Sequence, residues 1–129
     1  MAKTILFVED EQWLMEGMVE GLKAYGYDVL CATNGTQALE LIEANKFDLI
    51  LLDIIMPSGE KIEDATFGRR TGVELCRILR EEMRLEIPIV CLTVVTDPEI
   101  HHELRKLGAV VKIKPALPSE IADIIKELT

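Results

Sequence analysis

The amino-acid sequence predicts an α/β domain built on a parallel sheet. Three observations lead there: short apolar runs with strand character, intervening segments with helical period, and a regular alternation of the two. The strand-like runs are Thr4–Val8, Asp28–Ala32, Leu49–Leu52, Ile89–Leu92 and Val110–Ile113. Runs this continuously apolar suit strands covered on both faces, as in a parallel sheet with helical crossovers.

Each element has its own local signal. The first strand, Ile5-Leu6-Phe7-Val8, ends on Glu9 and Asp10. The helical segment after it carries Met15, Met18, Val19 and Leu22 at i, i+3, i+4 and i+7, a single stripe for the core. Gly26 follows where a left-handed helix cap is expected, and Asn34-Gly35-Thr36 supplies the turn and helix start after the second strand. The third strand, Leu49-Ile50-Leu51-Leu52, precedes Asp53. Beyond it the charged stretch Ser58–Thr71, containing Gly59 and Gly68, reads as a long loop before the third helix. Ile89-Val90-Cys91-Leu92 leads to Thr93, Gly108 repeats the cap of Gly26, and the fifth strand leads to Lys114-Pro115. Pro118-Ser119 opens a last helix with Ile121, Ile124, Ile125 and Leu128 on one stripe.

Composition narrows the possible roles. A chain of 129 residues is the size of one domain, and its longest apolar runs fall far short of the ~20 residues that span a membrane. A net charge of -9 argues against non-specific nucleic-acid binding, which depends on Lys and Arg neutralising phosphates. Cys31, Cys76 and Cys91, odd in number and flanked by apolar residues, read as small core hydrophobes in a reducing compartment. Met-Ala-Lys-Thr followed at once by a strand has no secretory pattern, so a cytoplasmic location is expected.

Parallel strands bring their carboxyl ends to one edge, where open α/β sheets bind ligands. Glu9, Asp10 and Asp53 would meet there and repel unless a cation joins them, which asks for a hard divalent ion, Mg²⁺ above all. Thr93 and Lys114 add a hydroxyl and an ammonium at two further strand ends. Singly, an Asp after a strand is a turn residue or cap, a Thr a β-branched strand residue and a Lys solvated. Their joint occurrence at four strand ends favours a site.

Val8-Glu9-Asp10-Glu11, Asp53 with Met56-Pro57, Thr93, and Lys114-Pro115, in that order, resemble the receiver domain of two-component response regulators, of the chemotaxis-regulator kind. The likeness spans essentially the whole chain. It implies a flavodoxin-like, doubly wound, five-stranded parallel sheet of order 2-1-3-4-5 with five helices; the chain is read as a single domain over 1–129, with an extended loop at 58–71 that is this chain's own. It also implies that Asp53 is the phosphoacceptor, taking a phosphoryl group from the phosphohistidine of a sensor kinase or from a small donor. By the same resemblance Asp10, Asp53 and the backbone carbonyl of Ile55 ligate Mg²⁺, Glu9 holds it through water, and Thr93 and Lys114 each bind a phosphoryl oxygen. A cis Lys114–Pro115 bond is part of the likeness. The implied partners are a sensor histidine kinase or phosphotransfer protein and a downstream output protein or domain, with no nucleic acid and no membrane. The domain would be a signalling phosphoacceptor that catalyses its own phosphorylation and slow dephosphorylation, and otherwise no enzyme.

Several positions depart from the family. Ser58–Thr71 is longer than usual, either a lid or docking surface around Phe67, Arg69 and Arg70 or, preferred here, a tolerated insertion, since loop-closure entropy grows slowly with length. Val111 stands where an aromatic switch residue is usual, and Val94 where a small residue would leave Asp53 more open. Ile55 and Val95 are apolar where some members position water, which suggests a persistent aspartyl phosphate. His101-His102 and the group Arg80, Glu81, Glu82 and Arg84 read as solvated helix surface. A haloacid-dehalogenase-like phosphatase would need a second Asp where Ile55 stands, and a nucleotide site would need glycines in place of Glu9-Asp10-Glu11-Gln12. The alternative is a pseudo-receiver, a phosphorylation-independent protein-binding module, in which the acids and lysine would be eroded.

Overall fold

The alternating pattern folds as a five-stranded sheet in the order β2-β1-β3-β4-β5, with every neighbouring pair parallel. The computed structural model describes residues 2–55, 71–94 and 96–129. In chain order the elements are β1 Thr4–Val8, α1 Gln12–Ala24, β2 Asp28–Ala32, α2 Gly35–Ala44, β3 Leu49–Asp53, α3 Thr71–Arg77 continuing into a π-helical turn at Ile78–Glu82, β4 Ile89–Thr93, α4 Pro98–Lys106, β5 Val110–Ile113 and α5 Pro118–Leu128. Three strands match the sequence reading residue for residue. The third and fourth run one residue further and take in Asp53 and Thr93, because Asp53 pairs with Leu92 and Thr93 with Ile113.

The central strands are apolar throughout, and the two-residue period of a strand sends their side chains alternately to two cores. Leu6, Val8, Ile50, Leu52, Ile89 and Cys91 face α2, α3 and α4, while Ile5, Phe7, Leu49, Leu51, Val90 and Leu92 face α1 and α5. Fully burying an Ile or Leu stabilises the fold by roughly 1.5–3 kcal/mol, so these layers dominate its stability. On the helices the expected stripes are buried at Met15, Met18 and Leu22 and at Ile121 and Ile125. Leu128, at the end of its stripe and of α5, is 37% exposed.

Local signals behave as the sequence implies. The Asn34 side chain accepts from the Gln37 backbone N–H at 2.9 Å, Asp97 accepts from Glu99 N–H at 2.9 Å, and Gly26 and Gly108 have φ of 93° and 78°. Lys114–Pro115 is cis. Gly72 permits a close approach to backbone: a Cβ there would stand 2.5 Å from both the Asp53 carbonyl oxygen and Ile54 Cα.

One reading needs correction. Arg80 is not part of a solvated face; the π-helical turn carries its guanidinium inward, where it donates to the carbonyls of Leu107, Leu85 and Ile87 at 2.7, 2.8 and 2.7 Å. The cysteines are core hydrophobes as expected, but Cys76 and Cys91, distant in sequence, lie side by side. That contact, with burial, pushes the Cys91 thiol well above its ordinary range. Thr71 belongs to α3 and is buried, whereas the rest of the expected 58–71 loop, Met56-Pro57 and Val95 lie outside the described residues. Among the described residues no helix is long and apolar enough to cross a membrane.

Candidate functional site

The carboxyl ends of β1, β3, β4 and β5 converge on one acidic edge. Beyond β1, Glu9 N–H donates to the Ala32 carbonyl at 2.9 Å, which carries the β1–β2 ladder one residue further and holds the Glu9 side chain inside the site, 1% exposed. Its Oε2 accepts from Asp10 N–H at 3.2 Å, and Asp10 itself is exposed. Asp53, the last residue of β3, is 7% exposed, and its Oδ1 accepts a long 3.4 Å bond from Ile55 N–H. Thr93 ends β4 fully buried, and its carbonyl accepts from Lys114 N–H at 2.9 Å. That bond starts Lys114 toward the acids: its Nζ stands 3.0 Å from Glu9 Oε1 and 3.3 Å from Asp53 Oδ2.

Charge is unbalanced here. Oxygens from Glu9, Asp10 and Asp53 lie within 4.8 Å of one another, a spacing at which each like-charged pair costs on the order of 1–4 kcal/mol between aqueous and protein-like dielectrics. Lys114 compensates one of three negative charges. Burial, reinforced by Asp53, raises the Glu9 carboxyl above its ordinary value against the opposing pull of Lys114. Burial raises Asp10 as well, with Glu9 adding to it. Burial by itself would lower the Lys114 ammonium, but Asp53 and Glu9 more than offset that and hold it raised. A donor set of carboxylate oxygens, without nitrogen or sulfur, fits a hard divalent cation such as Mg²⁺.

Of the residues singled out from sequence, Glu9, Asp10, Asp53 and Lys114 form one cluster, and Thr93 sits beside it on the adjoining strand. Ile55 lies two residues beyond Asp53 with a 39% exposed side chain, and Val94 is 64% exposed. Val111 is half-buried on β5 and packs against the α3–α4 side of the core, without contributing a polar group. His102 is exposed and His101 half-buried on α4. Sequence reasoning missed Trp13 and Leu14, which flank a groove that Glu9 and Lys114 also line. The available signal was a pair of large apolar residues off the core stripe of α1.

A family model described as the response regulator receiver domain matches residues 5–126. The chain belongs to the response regulator receiver domain family. Solved structures agree with this receiver's fold along nearly its whole length. The CheY-like receiver domain protein of Methanospirillum hungatei is 26% identical with a TM-score of 0.83, covering 98% of this chain and 93% of that one. The chemotaxis response regulator CheY4 of Vibrio cholerae is 26% identical, with a TM-score of 0.82 and full coverage of both chains at 100%. The signal receiver domain of a signal transduction histidine kinase from Syntrophus aciditrophicus is 29% identical with a TM-score of 0.79, covering 98% and 89%. The receiver is thus a flavodoxin-like domain of two-component signalling.

Proposed function

We propose that this receiver takes a phosphoryl group onto Asp53 and thereby changes which proteins it binds. The observation that carries the proposal is the Asp53 carboxylate at 7% exposure, 3.3 Å from the Lys114 ammonium and within 4.8 Å of the Glu9 and Asp10 oxygens. A carboxylate oxygen of Asp53 attacks phosphorus, an O–P bond forms as the P–N bond to the donor imidazole breaks, and the imidazole leaves with a proton. Lys114 is positioned to offset charge on one phosphoryl oxygen, and the Thr93 hydroxyl is the group for another. Glu9, Asp10 and Asp53, with the Ile55 carbonyl, are the residues that would hold Mg²⁺. Bound there, the ion would supply the positive charge that both the carboxylates and the transferring group require.

The proposed donors are a sensor histidine kinase or a phosphotransfer protein, and the proposed receiver of the signal is an output protein or domain in the cytoplasm. The whole of 1–129 is read as one receiver unit with an extended 58–71 segment. The apolar side chain of Ile55, 39% exposed two residues beyond Asp53, supports a slowly hydrolysed aspartyl phosphate, since it cannot orient a water. The test is incubation with acetyl phosphate and Mg²⁺, read by intact mass. Wild type gains one phosphoryl group, in a linkage sensitive to hydroxylamine, and Asp53→Asn does not. Phosphorylation of Asp53→Asn at such a linkage would defeat the assignment, and a wild type that takes up nothing would favour the pseudo-receiver.

A further inference from the structure

The core holds a second reactive cluster, apart from the acidic edge. Cys76 on α3 and Cys91 on β4 are each 0% exposed, and their thiols hydrogen-bond to one another where the helix packs on the sheet. Arg80 follows Cys76 by four residues, about one turn along α3 and its π-helical continuation. Its guanidinium turns inward to the carbonyls of Leu85 and Ile87, on the approach to β4, and its charge favours the thiolate form of both sulfurs. Cys31, half-buried on β2, packs on the opposite, α1–α5 side of the sheet and shares neither neighbour.

The pair is asymmetric. The hydrogen bond with Cys91 holds the Cys76 thiol below its ordinary range against the opposing effect of burial, and Arg80 adds to the lowering. The same bond, with burial, pushes Cys91 well up. A sulfur inclined to the thiolate beside one that keeps its proton is the arrangement of dithiols that pass through a disulfide. Where thiols are kept reduced, the disulfides that do form are transient and redox-sensing.

We infer that Cys76 and Cys91 are a peroxide-responsive pair that closes to a disulfide and staples α3 to β4. The Cys76 sulfur attacks one oxygen of hydrogen peroxide; the O–O bond breaks, Cys76 becomes a sulfenic acid, and the other oxygen leaves as water. The Cys91 sulfur then attacks the sulfenic sulfur, so that an S–S bond forms as the S–O bond breaks, and the hydroxyl leaves as water with the Cys91 proton. The two thiols lose two electrons and two protons, and one peroxide becomes two waters. Peroxide is close to water in size, and local opening of α3, a helix of 7 residues before the π turn, admits it. Cys91 pairs with Leu52, one step before Asp53 pairs with Leu92, so the staple fixes α3 directly beneath the acidic edge. This goes beyond the phosphoacceptor reading and does not depend on it.

The experiment uses the full chain, reduced, unphosphorylated and without metal, so that failure leaves the phosphoacceptor reading standing. Wild type and Cys31→Ser are exposed to dilute hydrogen peroxide, quenched with catalase, unfolded in the presence of an alkylating reagent and weighed intact. In Cys31→Ser the expected product takes up no alkyl group, is lighter by two hydrogen atoms, and yields one peptide pair joined through Cys76 and Cys91; reductant restores both thiols. Its urea midpoint should rise on oxidation and return on reduction, as a cross-link within one chain requires. Cys76→Ala should slow the oxidation of Cys91 by about tenfold or more, and Cys91→Ala should halt Cys76 at a sulfenic acid that dimedone traps. The proposal is overturned if a dose that oxidises Cys31 of wild type leaves Cys76 and Cys91 free to alkylate. It is also overturned if Cys76 ends as a sulfinic acid with Cys91 still free, or if the only disulfides join two chains. These readings on wild type and Cys31→Ser decide the matter even where a core variant fails to fold.

Discussion

Replacing Gly72 with alanine tests how rigidly α3 is set against the end of β3. The new Cβ would stand 2.5 Å from the Asp53 carbonyl oxygen and from Ile54 Cα, and 2.9 Å from Ile54 Cδ1. Two of those atoms are backbone, so no rotamer change relieves the contact. The start of α3 must ride outward by roughly 1 Å, stretching the 2.9 Å bond from Gly72 N–H to the Ile54 carbonyl, at the ~1–3 kcal/mol typical of overpacking. In a domain of this size each kcal/mol is about 3–5 °C of melting temperature. Gly17→Ala is the counterpart, since its Cβ meets nothing within 4 Å inside a regular helix, and it should stabilise by about 0.5–1 kcal/mol. Urea and thermal unfolding followed by circular dichroism give both values, and acetyl phosphate labelling of Gly72→Ala should slow, because the disturbed carbonyl is that of Asp53. Equal stability of Gly72→Ala and wild type would refute the reasoning, as would a loss in Gly17→Ala to match.

Other expectations rest on single side chains. Asp10→Asn should weaken Mg²⁺ binding by about tenfold or more in calorimetric titration, while leaving Asp53 able to be labelled at high Mg²⁺; unchanged affinity would remove Asp10 from the cation site. Glu9 and Asp10 are held above their ordinary values of 4.5 and 3.8, so the folded state binds more protons than the unfolded one, and the contribution of these groups to stability is present below those values and lost as pH rises through the raised ones. In chelator, Glu9→Gln should therefore flatten the decline of melting temperature across about pH 4–7 relative to wild type, and parallel profiles would contradict the burial argument. Arg80→Ala strips the donor from three carbonyls and should cost about 2–4 kcal/mol in urea unfolding. A midpoint matching wild type would mean that water serves those carbonyls as well.

Legibility followed the range of each signal. Strand runs, the Asn34 cap and the glycine caps are set by neighbours a few residues away, and all were readable. The convergence of these side chains was readable because apolar runs ending in Glu9, Asp53, Thr93 and Lys114 announce both a strand and its exit. Arg80 was misread because its partners, Leu107 and the Leu85–Ile87 turn, meet it only after the α3 helix widens into a π turn, and i, i+4 spacing says nothing about that. The contact of Cys76 with Cys91 and the groove beside Trp13 arise in the same way, from elements brought together by crossovers.

The sheet order also sets how the chain assembles as it is synthesised. β1 lies between β2 and β3, so the first strand made acquires both of its neighbours only once residues through Asp53 have emerged. From there β4 and β5 add in sequence to one growing side, and no later strand has to open an existing pairing. Nascent chains thus meet their costly loop closures early, around β1, and complete the remainder by accretion. The acidic edge is finished last, when Lys114 arrives beside Asp53.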